Sequence, residues 1–181
     1  MSTIRTASAV AFTKGLEDVF DRVDSRVAGW LANHGLSLLR ISLGIVFLWF
    51  GALKYLPGGS PAQELATRTI SVLTFGHIPP SVSLVVLATW ECLIGIGLIF
   101  GLFMRTTLVV MLVQMMGTVS PLILFPSETF TVFPYGLTLE GQYIIKNLVL
   151  ISAGLVLGAT VRGGTIVAER QPQGTGSPRP T

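Results

Sequence analysis

The chain has 181 residues, half of them hydrophobic and only 12% charged, with a mean hydropathy of +0.70. Those values exclude an ordinary soluble domain. The net charge of +3 comes from basic residues scattered near the ends of apolar runs, so it carries no nucleic-acid signal.

Residues 1–9 read as disordered, and no apolar core follows Arg5 to make a secretory signal. From Val10 onward, apolar residues recur at Phe12, Leu16, Val19, Phe20, Val23, Val27, Trp30 and Leu31, while Glu17, Asp18, Asp21, Arg22 and Asp24 occupy most of the remaining surface. This spacing predicts an amphipathic helix over 10–33 that lies along the membrane surface, with Trp30 at headgroup level. Its acids oppose simple adhesion to anionic lipid, which leaves docking on a neighbouring subunit as the alternative. Asn33-His34-Gly35 is expected to break it.

The first span is predicted over about 36–56. Within it, Arg40, Gly44, Phe47, Gly51 and Lys54 share one helical face, because steps of three and four residues keep to one side. Pro57-Gly58-Gly59 stops the span. Ser60-Pro61-Ala62-Gln63 has the form of a capping box and opens a short interfacial helix over about 61–75, which Glu64 and Arg68 bar from spanning. Pro79-Pro80 leads into a second span over about 81–100, and a tight connection at 101–105 leads to a third over about 106–125. Ser120-Pro121 marks a kink near the end of the third. Residues 126–141 read as a hairpin-like cap, 142–160 as the fourth span and 162–181 as a disordered tail.

The predicted fold is therefore all-α: an integral membrane four-helix bundle over 34–161, preceded by an amphipathic interfacial helix. Four spans put both termini on one side. The excess of Lys and Arg on that side places the termini in the cytoplasm. Gly97 with Gly101, and Gly154 with Gly158, form GxxxG pairs, read as close packing within the bundle in preference to a dimerisation face.

Chemistry must come from the few polar groups at membrane depth. Glu91 lies about ten residues into the second span, roughly 15 Å along the helix. A carboxylate there needs a partner, a proton or a wet cavity. Lys146 in the fourth span and Lys54 at the end of the first are the candidate partners, unless both snorkel to the headgroups. Gln114 in the third span and Asn147 beside Lys146 could complete a polar network. Trp49, Trp90, Tyr55 and Tyr143 could stack on a flat ring such as a quinone, or be plain packing and interfacial residues. No His, Cys or carboxylate spacing resembles a metal site, and the single Cys92 allows no intramolecular disulfide. Phosphate-binding glycine loops, nucleophile elbows and dinucleotide fingerprints are missing from the sequence.

The runs RISLGIVFLWFGALKY, WECLIGIGLIFGLFMRTTLVVMLVQM and EGQYIIKNLVLISAGLVL resemble the DoxX-like superfamily, more narrowly its YkgB branch. The matching positions are Arg40, Trp49, Gly51 and Lys54, then Glu91, Gly95 and Leu98, then Gly141, Tyr143 and Lys146, in a resemblance that covers roughly 36–165. It implies a multi-pass protein of a bacterial cytoplasmic (inner) membrane, associated with redox chemistry or oxidative-stress defence. A quinone needs no covalent ligand, so a carboxylate, a lysine and aromatic walls suffice to bind it.

Three readings follow. The first is a polar pocket in the outer half of the bundle that binds quinone or a lipid-like ligand through Glu91, Lys146, Lys54, Gln114, Asn147, Tyr143, Trp49 and Trp90. The second is a non-catalytic subunit or assembly factor, with a protein partner or a second copy of the chain docked on the N-terminal helix. The third is a small transporter, which the absence of inverted repeats opposes.

Overall fold

The computed structural model describes the backbone of residues 2–56, 58, 63–161, 163 and 164, with side chains from Phe20 onward. Residues 57 and 59–62, with most of the expected stop and capping box, lie outside the described residues, as do 162 and 165–181 of the expected tail. In chain order the elements are α1 (Ser2–Leu53), α2 (Gln63–Leu73), α3 (Pro80–Phe100), α4 (Met104–Val119), α5 (Pro121–Leu124), α6 (Pro126–Thr129), β1 (Phe130–Val132), β2 (Gly136–Leu137) and α7 (Leu139–Thr160). Among the described residues, four helical stretches are long and apolar enough to cross a membrane: Phe20–Leu53, Pro80–Phe100, Met104–Leu124 and Leu139–Thr160. The fold is the expected all-α membrane bundle.

The expected break at Asn33-His34-Gly35 and the expected disorder before Val10 are corrected by α1, a single helix from Ser2 to Leu53. Neither Asn nor Gly is a proline. A lone glycine weakens a helix by only about 1 kcal/mol, and the i→i−4 ladder can pass through it. His34 reinforces the passage, since its Nδ1 lies 3.0 Å from the Trp30 carbonyl oxygen and its ring stacks on Trp30 at 4.9 Å. The span and the amphipathic segment are thus one rod, not two elements at an angle.

Ser120-Pro121 divides the third span with little disturbance. Pro121 has no N–H to give the Gly117 carbonyl, and the Ser120 hydroxyl supplies that bond at 2.7 Å. Before α7, β1 and β2 pair antiparallel, with Phe130 opposite Leu137, as the expected hairpin. Thr138 caps α7 by accepting from the Gly141 N–H at 3.1 Å, and its own hydroxyl donates to the Glu128 carbonyl at 2.7 Å. Arg68 on α2 reaches Glu128 at 2.7 Å and lies over the Phe125 ring. The interfacial helix and the hairpin therefore form one cap at the end of the bundle where α1 finishes.

Helices α1 and α3 make the tightest pairing. A Cβ on Gly95 would stand 2.6 Å from the Leu48 nitrogen, and one on Gly44 would stand 2.9 Å from the Gly95 carbonyl oxygen. Small residues let two backbones approach where lipid supplies no hydrophobic drive of its own. The core is completed by Leu43 and Phe47 from α1, Ile94 and Leu98 from α3, Leu108, Met111 and Met115 from α4, and Leu157 from α7. Of the two GxxxG pairs, Gly97 meets Thr107 and Gly154 meets Met111, whereas Gly158 faces open space. Gly101 ends α3 in the left-handed region at φ 70°, which a side chain resists. Arg40 closes the same turn by donating to the Leu98 carbonyl at 3.0 Å, so this residue of α1 caps a neighbouring helix.

Gly95→Ala should lower the stability of the detergent-solubilised protein by about 1–3 kcal/mol, because the Leu48 backbone cannot retreat locally. Gly158→Ala should leave it unchanged or slightly raised, as open space surrounds the site. Thermal unfolding of the two variants side by side checks the contrast.

Candidate functional site

The polar groups that meet inside the bundle come from three helices. Backbone geometry begins the arrangement at the end of α1. The Lys54 N–H bonds to the Gly51 carbonyl at 3.2 Å, one residue short of α-helical spacing. The Phe50 carbonyl thereby loses its regular donor, and the Lys54 Nζ lies 3.4 Å from it. Turned back in this way, the ammonium meets the Glu91 Oε2 at 2.5 Å. Both side chains are only 11% exposed. Gln114, on α4, donates from its Nε2 to the other carboxylate oxygen, Oε1, at 2.8 Å. Glu91 is thus held through both oxygens, by a cation from one helix end and an amide from another helix.

A second link joins the same two helices nearby. The Tyr55 hydroxyl lies 2.6 Å from the Thr89 Oγ1, and the Thr89 hydroxyl donates to the Val85 carbonyl at 2.7 Å. With its one proton spent there, Thr89 accepts from Tyr55. Gly51 allows the approach, since a Cβ on it would stand 2.9 Å from the Glu91 Cβ and the Cys92 nitrogen. Thr89 carried no signal in the sequence beyond lying two residues from Glu91. The Arg40–Leu98 bond was foreshadowed by Arg40 lying on the same α1 face as Gly44, Gly51 and Lys54.

Of the eight predicted site residues, Lys54, Glu91 and Gln114 come together. The other five do not join them. Lys146 is exposed on α7, with its Nζ 5.4 Å from the ring of Tyr143 one turn earlier. The choice between two lysines for Glu91 therefore falls to Lys54, against the snorkelling alternative for that residue. Asn147 is half-buried on α7, outside this group. Trp49 and Trp90 are 66% and 41% exposed, and Tyr143 is also exposed. All three look outward, as aromatic residues on a lipid-facing surface do, and they build no wall around Glu91. A surface groove of about 440 Å³ sits elsewhere, on the cap, lined by Pro126, Ser127, Phe130 and Phe133.

The cluster offers fixed charge, fixed hydrogen-bond geometry and a carboxylate at membrane depth. It can hold a polar headgroup or accept a proton there. Glu91→Leu should destabilise the protein by about 3 kcal/mol, because it strands the Lys54 ammonium among apolar groups. Adding Lys54→Met should recover most of that loss, and adding Lys146→Met should recover none. A thermal-unfolding double-mutant cycle reads both, and rescue by Lys146→Met would refute the pairing.

Comparison with known proteins adds one finding to this geometry. No curated protein and no solved structure matches the chain. The family model described as DoxX matches residues 35–125, half of the chain, from within α1 through Gln114 to the end of the third span. All three members of the cluster fall inside that match, and the four apolar helices agree with a multi-pass membrane protein. The chain belongs to the DoxX family of membrane proteins.

Proposed function

We propose that this DoxX-family protein is a redox- or oxidative-stress-associated protein of the YkgB branch that binds quinone or a lipid-like ligand at Lys54, Glu91 and Gln114. One observation carries the reading: three different helices converge an amine, a carboxylate and an amide on one largely buried point. Stability alone does not call for such a group, because an apolar trio of similar volume packs in lipid without the desolvation cost of two charges. Intramembrane ionisable residues ordinarily mark ligand or proton paths. The excess of Lys and Arg at the Arg40 end supports reading that end as the cytoplasmic one in a bacterial inner membrane, with the cluster then in the outer half.

Purified protein in lipid nanodiscs should retain an extractable quinone or amphiphile. Glu91→Gln should keep the fold, since it preserves shape and one acceptor for Lys54 while Gln114 can turn its amide to accept from the new NH2, yet lower ligand recovery at least several-fold. Mass spectrometry of the organic extract provides the measurement. Equal recovery from both proteins would refute the site.

A second reading, a subunit or assembly factor, is favoured by the exposed part of α1. Phe20, Val23, Val27, Trp30 and Leu31 are each more than half exposed and lie at helix spacing on a rod that reaches well beyond the bundle. The 34 residues from Phe20 to Leu53 make about 50 Å of helix, against a hydrocarbon thickness of about 30 Å. An apolar stripe in that position is a docking face for a protein partner or another copy of the chain. Replacing Phe20, Val23 and Val27 with Ser should then abolish co-purification of the partner while leaving ligand recovery intact.

A further inference from the structure

One atom of the cluster has no use in the pairing described above. Gln114 is 9% exposed, and its Oε1 is buried with no hydrogen-bond partner among the described residues. Its Nε2 is committed to Glu91, 2.8 Å away. Turning the amide over would not help, because the carbonyl oxygen would then face the carboxylate, acceptor against acceptor. The orientation is therefore fixed by Glu91, and the amide oxygen is left as an acceptor waiting for a donor. By standard bond lengths it lies roughly 2.3 Å from the amide nitrogen, which itself stands 2.8 Å from the Glu91 carboxylate, so the open acceptor belongs to the same group of residues.

The rest of the cluster discriminates little between ligands. Both Glu91 oxygens already accept, from Lys54 and from Gln114. Lys54 spends protons on Glu91 and on the Phe50 carbonyl. Its third can serve a carbonyl oxygen or a hydroxyl oxygen equally. Only the Gln114 Oε1 asks for a particular chemistry, a hydrogen-bond donor brought in by the ligand. A quinone presents acceptors alone, whereas a hydroquinone presents O–H groups.

We infer that the site selects an apolar-tailed ligand bearing a hydroxyl, hydroquinone over quinone, with the ligand O–H donating to the Gln114 Oε1. The inference rests on the ligand-binding reading and sharpens it. Sites built around a buried polar group reject analogues that leave that group unpaired far more strongly than apolar sites reject a change of shape. The same donor chemistry could come from the free hydroxyl of a neutral lipid such as a diacylglycerol.

The test is equilibrium dialysis of the full-length protein in nanodiscs against four probes. These are a short-tailed benzohydroquinone under anaerobic conditions, the matching benzoquinone, the hydroquinone dimethyl ether and a short-chain diacylglycerol. The hydroquinone should bind about tenfold tighter than the quinone or the ether, the effect of one buried hydrogen bond. Gln114→Met, which keeps length and volume, should bring that ratio to about one. If this variant does not fold, the quinone and the ether decide together, since the quinone lacks the donors without added bulk and the ether lacks them at the same ring oxidation state. Diacylglycerol displacing the hydroquinone at similar concentration would support the hydroxyl selection and name a lipid as its source. Equal binding of hydroquinone, quinone and ether would overturn the inference and leave the ligand site standing. Saturable binding of none of the four would overturn both.

Discussion

A carboxylate surrounded by hydrocarbon is the constraint around which this bundle is arranged. Placing an ionised side chain at the centre of a membrane helix costs about 3 kcal/mol even on the most lenient scales, and far more without water or a counter-charge. Glu91 meets that cost with Lys54 on one oxygen and Gln114 on the other. Each partner requires a structural concession elsewhere. Lys54 reaches Glu91 because α1 tightens in its last turn and the ammonium folds back over the Phe50 carbonyl. Gln114 reaches it because α4 packs on α3.

The glycine seam between α1 and α3 is part of the same arrangement. Two helices that share an ion pair near one end must run close along their length. Gly44, Gly51 and Gly95 remove the side chains that would hold them apart. Arg40 then fastens the opposite end by capping α3 through the Leu98 carbonyl. The pair is thus tied at both ends by a cation of α1, with small residues between. Helices α4 and α7 close the other side with larger apolar residues, and α7 brings none of its predicted polar groups to the cluster.

Most exposed side chains on the spans are apolar, as Ile45, Leu93, Val113, Val149 and Leu155 illustrate. In water such a surface would aggregate, while in a bilayer it is the solvated surface. The N-terminal part of α1 is different. Its apolar stripe lies beyond a bilayer's thickness from Leu53, on a helix with no break to turn it back toward the lipid. It is the surface of the chain whose physical environment the bundle itself does not supply.

The four spans, the α2 helix and the hairpin cap were legible in the sequence, because each depends on local quantities: apolar length, proline and glycine punctuation, and alternation. So was the need of Glu91 for a partner, which follows from depth alone. The shared face of Arg40, Gly44, Gly51 and Lys54 also followed from helical spacing, and all four turned out to lie against α3. What the sequence left open was the identity of the partner. Lys54 lies at the end of the first span and Lys146 a turn or more into the fourth, both within side-chain reach of the Glu91 level, and the rotation of each helix about its axis decides between them. That rotation is fixed by packing between residues distant in the chain, which turns Lys146 and Tyr143 outward and Lys54 inward. The same holds for Trp49 and Trp90, whose composition suits a ring-binding wall but whose helices face them to the lipid. The continuity of α1 through Asn33-His34-Gly35 was missed for a local reason, a Trp30–His34 contact that keeps the turn in place. Composition and spacing determined which groups lie in the membrane, and the tertiary structure alone decided which of them touch.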